Sequence, residues 1–384
     1  MRRLLLSLGA VLLLAGCGDG QRPTARTPVP AELERQLDAG GIDASEWKTD
    51  FSRRAVPLGE LRSGGPGKDG IPAIDEPKFV PIGRGELPGR EPVLVVRGRR
   101  TVKAYPLRIL IWHEIVNDEL DGTPVAVTYC PLCNSSVVFD RRVDGETVRF
   151  GTTGSLRRSD LVMWDDRTES WWQQVTGEAI VGRRVGTTLR RLPSVILSAA
   201  EAARLHPRAQ VLSQDTGFDR DYGANPYVGY DDPASQPFLL DEKADPRLPP
   251  KERVLAVRRG RDGVVLPLSV VRKRRVIAFD AFDTPVVALY AAGVTSALDR
   301  GRIDQSADVG SAVLFDARVA DRRVKLRPTD ESGRFAEDDG TIWDLAGRAL
   351  SGPGKGQRLR PVAGDEQFWF AYAAFLTGTV RIVR

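Results

Sequence analysis

The chain has 384 residues, 41% hydrophobic and 28% charged, a balance that excludes a disordered or fibrous protein and leaves room for more than one core. The formal charge is +5, Arg2 and Arg3 supply two of those charges, and the other arginines are scattered beside acids, so nucleic-acid binding has no support. Two histidines and three cysteines nearly exclude multi-histidine metal centres and the common hydrolase triads.

The chain opens "MRRLLLSLGAVLLLAGCGDG": two arginines, an apolar run from Leu4 to Leu14, then small residues before Cys17. This is the pattern of a signal peptide over residues 1–16, shorter than the ~18 apolar residues that a spanning helix needs. "LAGC" resembles the lipobox of bacterial lipoproteins. The resemblance implies lipidation of Cys17 as the first mature residue and anchoring in the cell envelope, outside the cytoplasm. Gly18 in place of aspartate resembles an outer-membrane address in a double-membrane bacterium. Residues 17–50 are polar, contain proline and show no clear apolar period, so they are expected to form a lipidated tether.

Residues 63–79, "SGGPGKDGIPAIDEPKF", read as an ordered loop. "GGPGKDG" lacks the spacing of a phosphate loop and is read as a turn. "EPVLVV" and "PVAVTY" are short β-branched strands, Asp121-Gly122 and Asp144-Gly145 are hairpin turns, and "LRILIWHEIV" and "AAEAARLH" are helical. Residues 150–182 read as a hairpin. Its Trp164, Trp171 and Trp172 are expected in a core between repeats, and its "TTGSLRRSD" loop offers Arg157, Arg158, Ser159 and Asp160 as candidate pocket residues.

A repeat organises the rest. "LPGREPVLVVRGRR" from Leu87 aligns with "LPPKERVLAVRRGR" from Leu248, and over residues 87–111 ten of 25 positions are identical without a gap. After an insertion in the second copy, "VVFDRRVDGETVRF" from Val137 meets "VLFDARVADRRVKL" from Val313. The expected organisation is a first unit over 51–245, including a Pro- and Asp-rich connector, and a second over 246–384. The expected fold class is α+β, β-rich and antiparallel, with two tandem copies packed as one body.

"VTYCPLCNSS" holds Cys130 and Cys133, and the repeat puts Ala291 and Val294 at their positions. The fold therefore does not need them, and three readings stay open. A thioredoxin-type redox pair wants a long helix straight after the cysteines, whereas here a hairpin pattern follows. A metal knuckle wants a residue tolerant of positive φ after the second cysteine, which Asn134 supplies. A local disulfide suits an oxidising compartment but closes too small a ring to stabilise much. As a metal site it would add His113, with Glu114, Asp118, Glu119 and His206 as further candidates, and would suit zinc or copper.

These segments carry a resemblance. "DGIPAIDEPKF", "VKAYPL", "HEIVND", "VTYCPLCNSSVVFD" and "FGTTGSLRRSDLVMWDDRTESWW" resemble a bacterial family known as domain of unknown function 3179. Where that family has glycine after the second cysteine, this chain has Asn134. Where it has tyrosine in a Leu-Tyr-Asn-Ser-Asp-Leu run, this chain has Arg157-Arg158. The resemblance implies one integrated duplicated body and no particular activity. The leading expectation is a membrane-tethered lipoprotein that binds or delivers a metal. An envelope thiol oxidoreductase using Cys130 and Cys133 and a scaffolding lipoprotein are the alternatives, with the protein partner or substrate unknown.

Overall fold

Short antiparallel strands, five α-helices of nine residues or fewer and long loops make up the described residues, 28–320 and 322–384, of the computed structural model. The signal peptide, Cys17 and the start of the expected tether lie outside the described residues. From Ala31 onward the expectation of a free tether is corrected. Ala31–Ala39 forms a helix, α1, with Leu33 and Leu37 buried one turn apart. With Ile42, Trp47 and Phe51 they pack on Trp164, Trp171 and Val181. One turn of apolar spacing is too little to read as a period, yet enough to bury a satellite core. Trp164 and Trp171 thus face the N-terminal segment, and of the three only Trp172 enters the main core, to which both units contribute.

In the first unit β1 (Pro92–Arg97) and β2 (Val102–Pro106) form a hairpin, followed by α2 (Leu107–His113). Next, β3 (Ile115–Leu120), β4 (Thr123–Cys130) and β5 (Ser135–Asp140) make an antiparallel meander. A hairpin of β6 (Phe150–Arg157) and β7 (Asp160–Asp165) continues into β8 (Trp171–Gln173). The chain then returns to its first sheet through β9 (Ser194–Ser198), α3 (Ala199–Leu205) and β10 (Gln210–Leu212). β9 pairs antiparallel with β1, and β10 pairs parallel with β2.

The second unit presents the same elements in the same order: β11 (Arg253–Arg259), β12 (Asp262–Pro267), α4 (Leu268–Arg274), β13 (Val276–Ala281), β14 (Thr284–Ala291) and β15 (Ser311–Asp316). It closes with β16 (Asp365–Phe368), α5 (Trp369–Phe375) and β17 (Val380–Ile382), and again the returning strands pair antiparallel with β11 and parallel with β12. α2 and α4 stop by one device. Glu114 and Arg275, with φ of 56° and 63°, donate their N–H to Leu110 O and Val271 O and accept at their carbonyls from Tyr129 N and Tyr290 N. A left-handed residue with a Cβ costs about 1–2 kcal/mol, so this stop is held by its surroundings.

The units share a core. Phe368 N donates to Cys133 O at 2.9 Å. Phe368, Phe370, Leu298 and Ile303 of the second unit sit in one cluster with Val127, Tyr129 and Phe139 of the first. A thiol-bearing turn is thus braced from both sides.

Candidate metal centre

Cys130 ends β4, and its ladder partner Ser135 begins β5. Between them the chain turns within four residues. Asn134 N donates to Pro131 O at 3.1 Å, and Asn134 has φ 48°. An asparagine sits there at less cost than most side chains, which is the geometry expected of a knuckle. The turn carries both sulfurs inward, with Cys130 1% and Cys133 0% exposed and both thiols free.

A second turn meets the first. Arg158 and Ser159 link β6 to β7 with φ of 51° and 68°, the two-residue turn that normally takes Asn-Gly. Neither is glycine, so the turn holds strain, and it delivers Asp160 to the sulfurs. A carboxylate oxygen of Asp160 and the sulfurs of Cys130 and Cys133 lie within 4.8 Å of one another. The carbonyl of Ser159 joins them, 3.6 Å from Cys133 Sγ and 4.0 Å from Cys130 Sγ.

The electrostatics of the cluster are those of buried acids. Asp160 Oδ2 accepts from Gln173 Nε2 at 2.6 Å and Val175 N at 3.0 Å, while the buried Oδ1 has no nitrogen or oxygen donor among the described residues and the thiols of Cys133 and Cys130 are the carboxyl's remaining donors. Loss of water pushes the Asp160 carboxyl up to about 6 against the pull of those hydrogen bonds. The same desolvation raises both thiols, Cys133 well above its ordinary value. Glu114, buried beside them, is pushed up to about 8 by desolvation and then by the charge of Asp160. The guanidiniums of Arg157 and Arg191 act on Asp160 from a distance, but each is paired elsewhere, with Glu60 and Asp365.

A cavity of about 310 Å³ adjoins this cluster, lined by Glu114, Leu132, Leu161, Tyr227, Tyr230 and Phe238 among others. Leu132 lies between the two cysteines and Leu161 follows Asp160, so the cavity wall is also the cluster's outer face. The three aromatic residues belong to the connector, which roofs the site.

Several expected ligands are elsewhere. Both ring nitrogens of His113 are taken, Nδ1 by Pro72 O at 2.8 Å and Nε2 by Tyr222 OH at 2.6 Å, and the histidine is not in the cluster. His206 lines a different cavity. Asp118 is bound to Lys103 Nζ at 2.7 Å and Tyr105 OH at 2.6 Å, and Glu119 is exposed. Arg157 and Arg158 pair with Glu60, 2.7 Å and 3.4 Å away, and do not line the cavity. Of the four candidate pocket residues, Ser159 and Asp160 reach the sulfurs. Asp160 as a partner of the thiols was not anticipated. An aspartate after a turn is ordinary, and only the hairpin register shows that this one points inward.

Fold and site together define a β-rich, mostly antiparallel protein with two buried thiols set against a buried carboxylate. The chain belongs to the family described as protein of unknown function (DUF3179), whose sequence model matches residues 68–379. That span takes in the knuckle, Asp160 and nearly all of both units. No curated protein and no solved structure matches the chain.

Proposed function

We propose that the protein binds a transition-metal ion, zinc or copper, through Cys130, Cys133 and Asp160, and that a lipid on Cys17 holds it to a membrane outside the cytoplasm. What carries the reading is the buried triad itself, two thiols and a carboxylate within 4.8 Å of one another, with no nitrogen or oxygen donor on Asp160 Oδ1. Without a cation, burial holds the thiols protonated and makes the Asp160 charge costly. A metal ion reverses that, because it deprotonates a coordinating thiol outright and satisfies the free carboxylate oxygen. Sulfur-rich sets suit zinc and copper better than magnesium or calcium. Three protein ligands leave one tetrahedral position open, and the adjoining cavity with Glu114 on its wall would supply water, the glutamate or a small ligand there.

The two units read as copies of one ancestral unit, with the site in the first only. Ala291, Val294 and Arg275 stand where the first has Cys130, Cys133 and Glu114. Binding or delivery of the ion at the envelope is the role this supports. Thiol exchange with a protein partner needs a thiolate within reach, and the burial and raised pKa of both sulfurs oppose it.

Elemental analysis of the full chain purified without oxygen tests the reading, with thiols counted alongside. About one equivalent of zinc or copper is expected, lost in Cys130→Ser and Asp160→Asn and kept in His113→Ala. Absence of metal, with Cys130 and Cys133 joined and released by mild reduction, would move the function to redox chemistry. Absence of metal with both thiols free would leave a scaffold. The tether is tested separately by incorporation of labelled fatty acid, expected to vanish in Cys17→Ser.

A further inference from the structure

A second cavity, also about 310 Å³, lies on the seam between the units and shares no lining residue with the one beside the thiols. Its walls are apolar and come from both units, Leu94, Val195 and Leu197 from the first and Leu255, Leu314 and Val362 from the second. Among its lining residues are one basic side chain and one imidazole. Arg97 is exposed and His206 half-buried.

These two stand in a field of positive charge. Besides Arg97, the guanidiniums of Arg348 and Arg358 act on His206, opposed by the carboxylate of Asp344. Asp344 is bound to Arg348 at 2.7 Å. Arg97 and Arg358 have no ion-pair partner among the described residues. The His206 ring has no side-chain hydrogen bond among them either, and desolvation, then Arg97 and Arg348, hold it down to about 4, hence neutral at pH 7. The acids on the cavity lining are already matched, Asp365 with Arg191 and Glu366 with Arg253.

A mostly apolar chamber with the exposed, unmatched Arg97 and the half-buried His206 on its lining, and Arg358 acting on that histidine, fits one kind of ligand. We infer that this cavity binds a single-chain amphiphile with an anionic head, a medium-chain carboxylate, its tail between the two units and its carboxylate at Arg97 and Arg358 beside His206. At the ~30 Å³ that a water-sized group occupies, the volume takes on the order of ten heavy atoms, a chain of eight to ten carbons. The inference is independent of the metal site.

Calorimetric titration of the full chain with sodium decanoate tests it, decanol serving as the uncharged control. Saturable binding of one decanoate is expected, at least about tenfold tighter than decanol, since a charge-assisted contact is worth about 1.5 kcal/mol or more. Arg97→Glu combined with Arg358→Glu, both exposed and safe for folding, is expected to remove that advantage. Ala312→Phe, which fills the chamber, is expected to abolish binding of both. In the histidine-labelled chain decanoate should shift the His206 ring signal and raise its pKa, leaving His113 unmoved. Equal affinity for decanol and decanoate, binding that survives the charge reversal, or an unmoved His206 signal would each overturn the inference.

Discussion

Asp160 and Glu114 are two carboxyls whose proton affinity burial raises, and their pH dependence follows from that. Both have folded values above the ordinary carboxylate range, about 6 and about 8. The folded state therefore holds protons that the unfolded chain releases. Stability from these groups is complete below the unfolded values and declines as pH rises through the folded ones. Metal-free protein is expected to lose about 4 °C or more of melting temperature between pH 5 and pH 8, which calorimetry at several pH values reads. Glu114→Gln should flatten most of that slope, and saturating zinc should reverse it, because metal binding releases the protons. The thiols give a parallel test. In native metal-free protein Cys130 and Cys133 should resist iodoacetamide at pH 7.5 while unfolded protein reacts within minutes, as peptide mass mapping would show; fast native labelling would favour the redox reading. The tight turn at Cys130–Asn134 was legible because two cysteines and an asparagine suffice to write it. The place of His113 was not, because residue type says nothing of direction: α2 ends at His113, whose ring bonds Pro72 and Tyr222, and the left-handed turn at the next residue buries Glu114 near the sulfurs.

Elements were legible where their period was long enough. The β-branched runs became β1, β4, β11 and β14, and Asp144-Gly145 became a hairpin turn with φ of 50° and 84°. α1 was not legible, since its burial depends on the tryptophans of a distant hairpin. Nor was the tie between α2 and the strand before it. Arg108 Nε donates to Glu91 Oε2 at 2.6 Å, with a second bond from Nη2 to Oε1, and both side chains are buried. In the second unit the equivalent Glu252 accepts from Ser269 N at 3.0 Å, so the carboxylate stays at the helix start while its partner changes from guanidinium to backbone. Arg108→Ala would leave Glu91 buried and unpaired. It is expected to destabilise by about 3–5 kcal/mol in urea unfolding, whereas Glu91→Leu combined with Arg108→Met should recover most of the loss. A fully additive double variant would contradict the pairing.

At the scale of the whole molecule, one integrated body was expected, but not which residues would join its two halves. The contacts that join them are made by apolar residues that look, in sequence, like each unit's own interior. Phe368 is the clearest case. It belongs to β16, yet its ring lies fully buried 6.3 Å from Tyr230 of the connector and from Phe370, with the Arg253 guanidinium 5.7 Å away, and its N–H holds the Cys133 carbonyl. One residue thus supports the fold of the second unit and the thiol turn of the first. Phe368→Ala keeps the backbone hydrogen bond but opens a void beside the knuckle, at a cost of about 3–5 kcal/mol. Because the void lies in a common core, the full chain is expected to unfold in a single shifted transition, followed by tryptophan fluorescence and by exposure of the Cys130 and Cys133 thiols in parallel. Two separated transitions, with thiol exposure following only one of them, would mean that the units fold independently and that β16 merely touches the thiol turn.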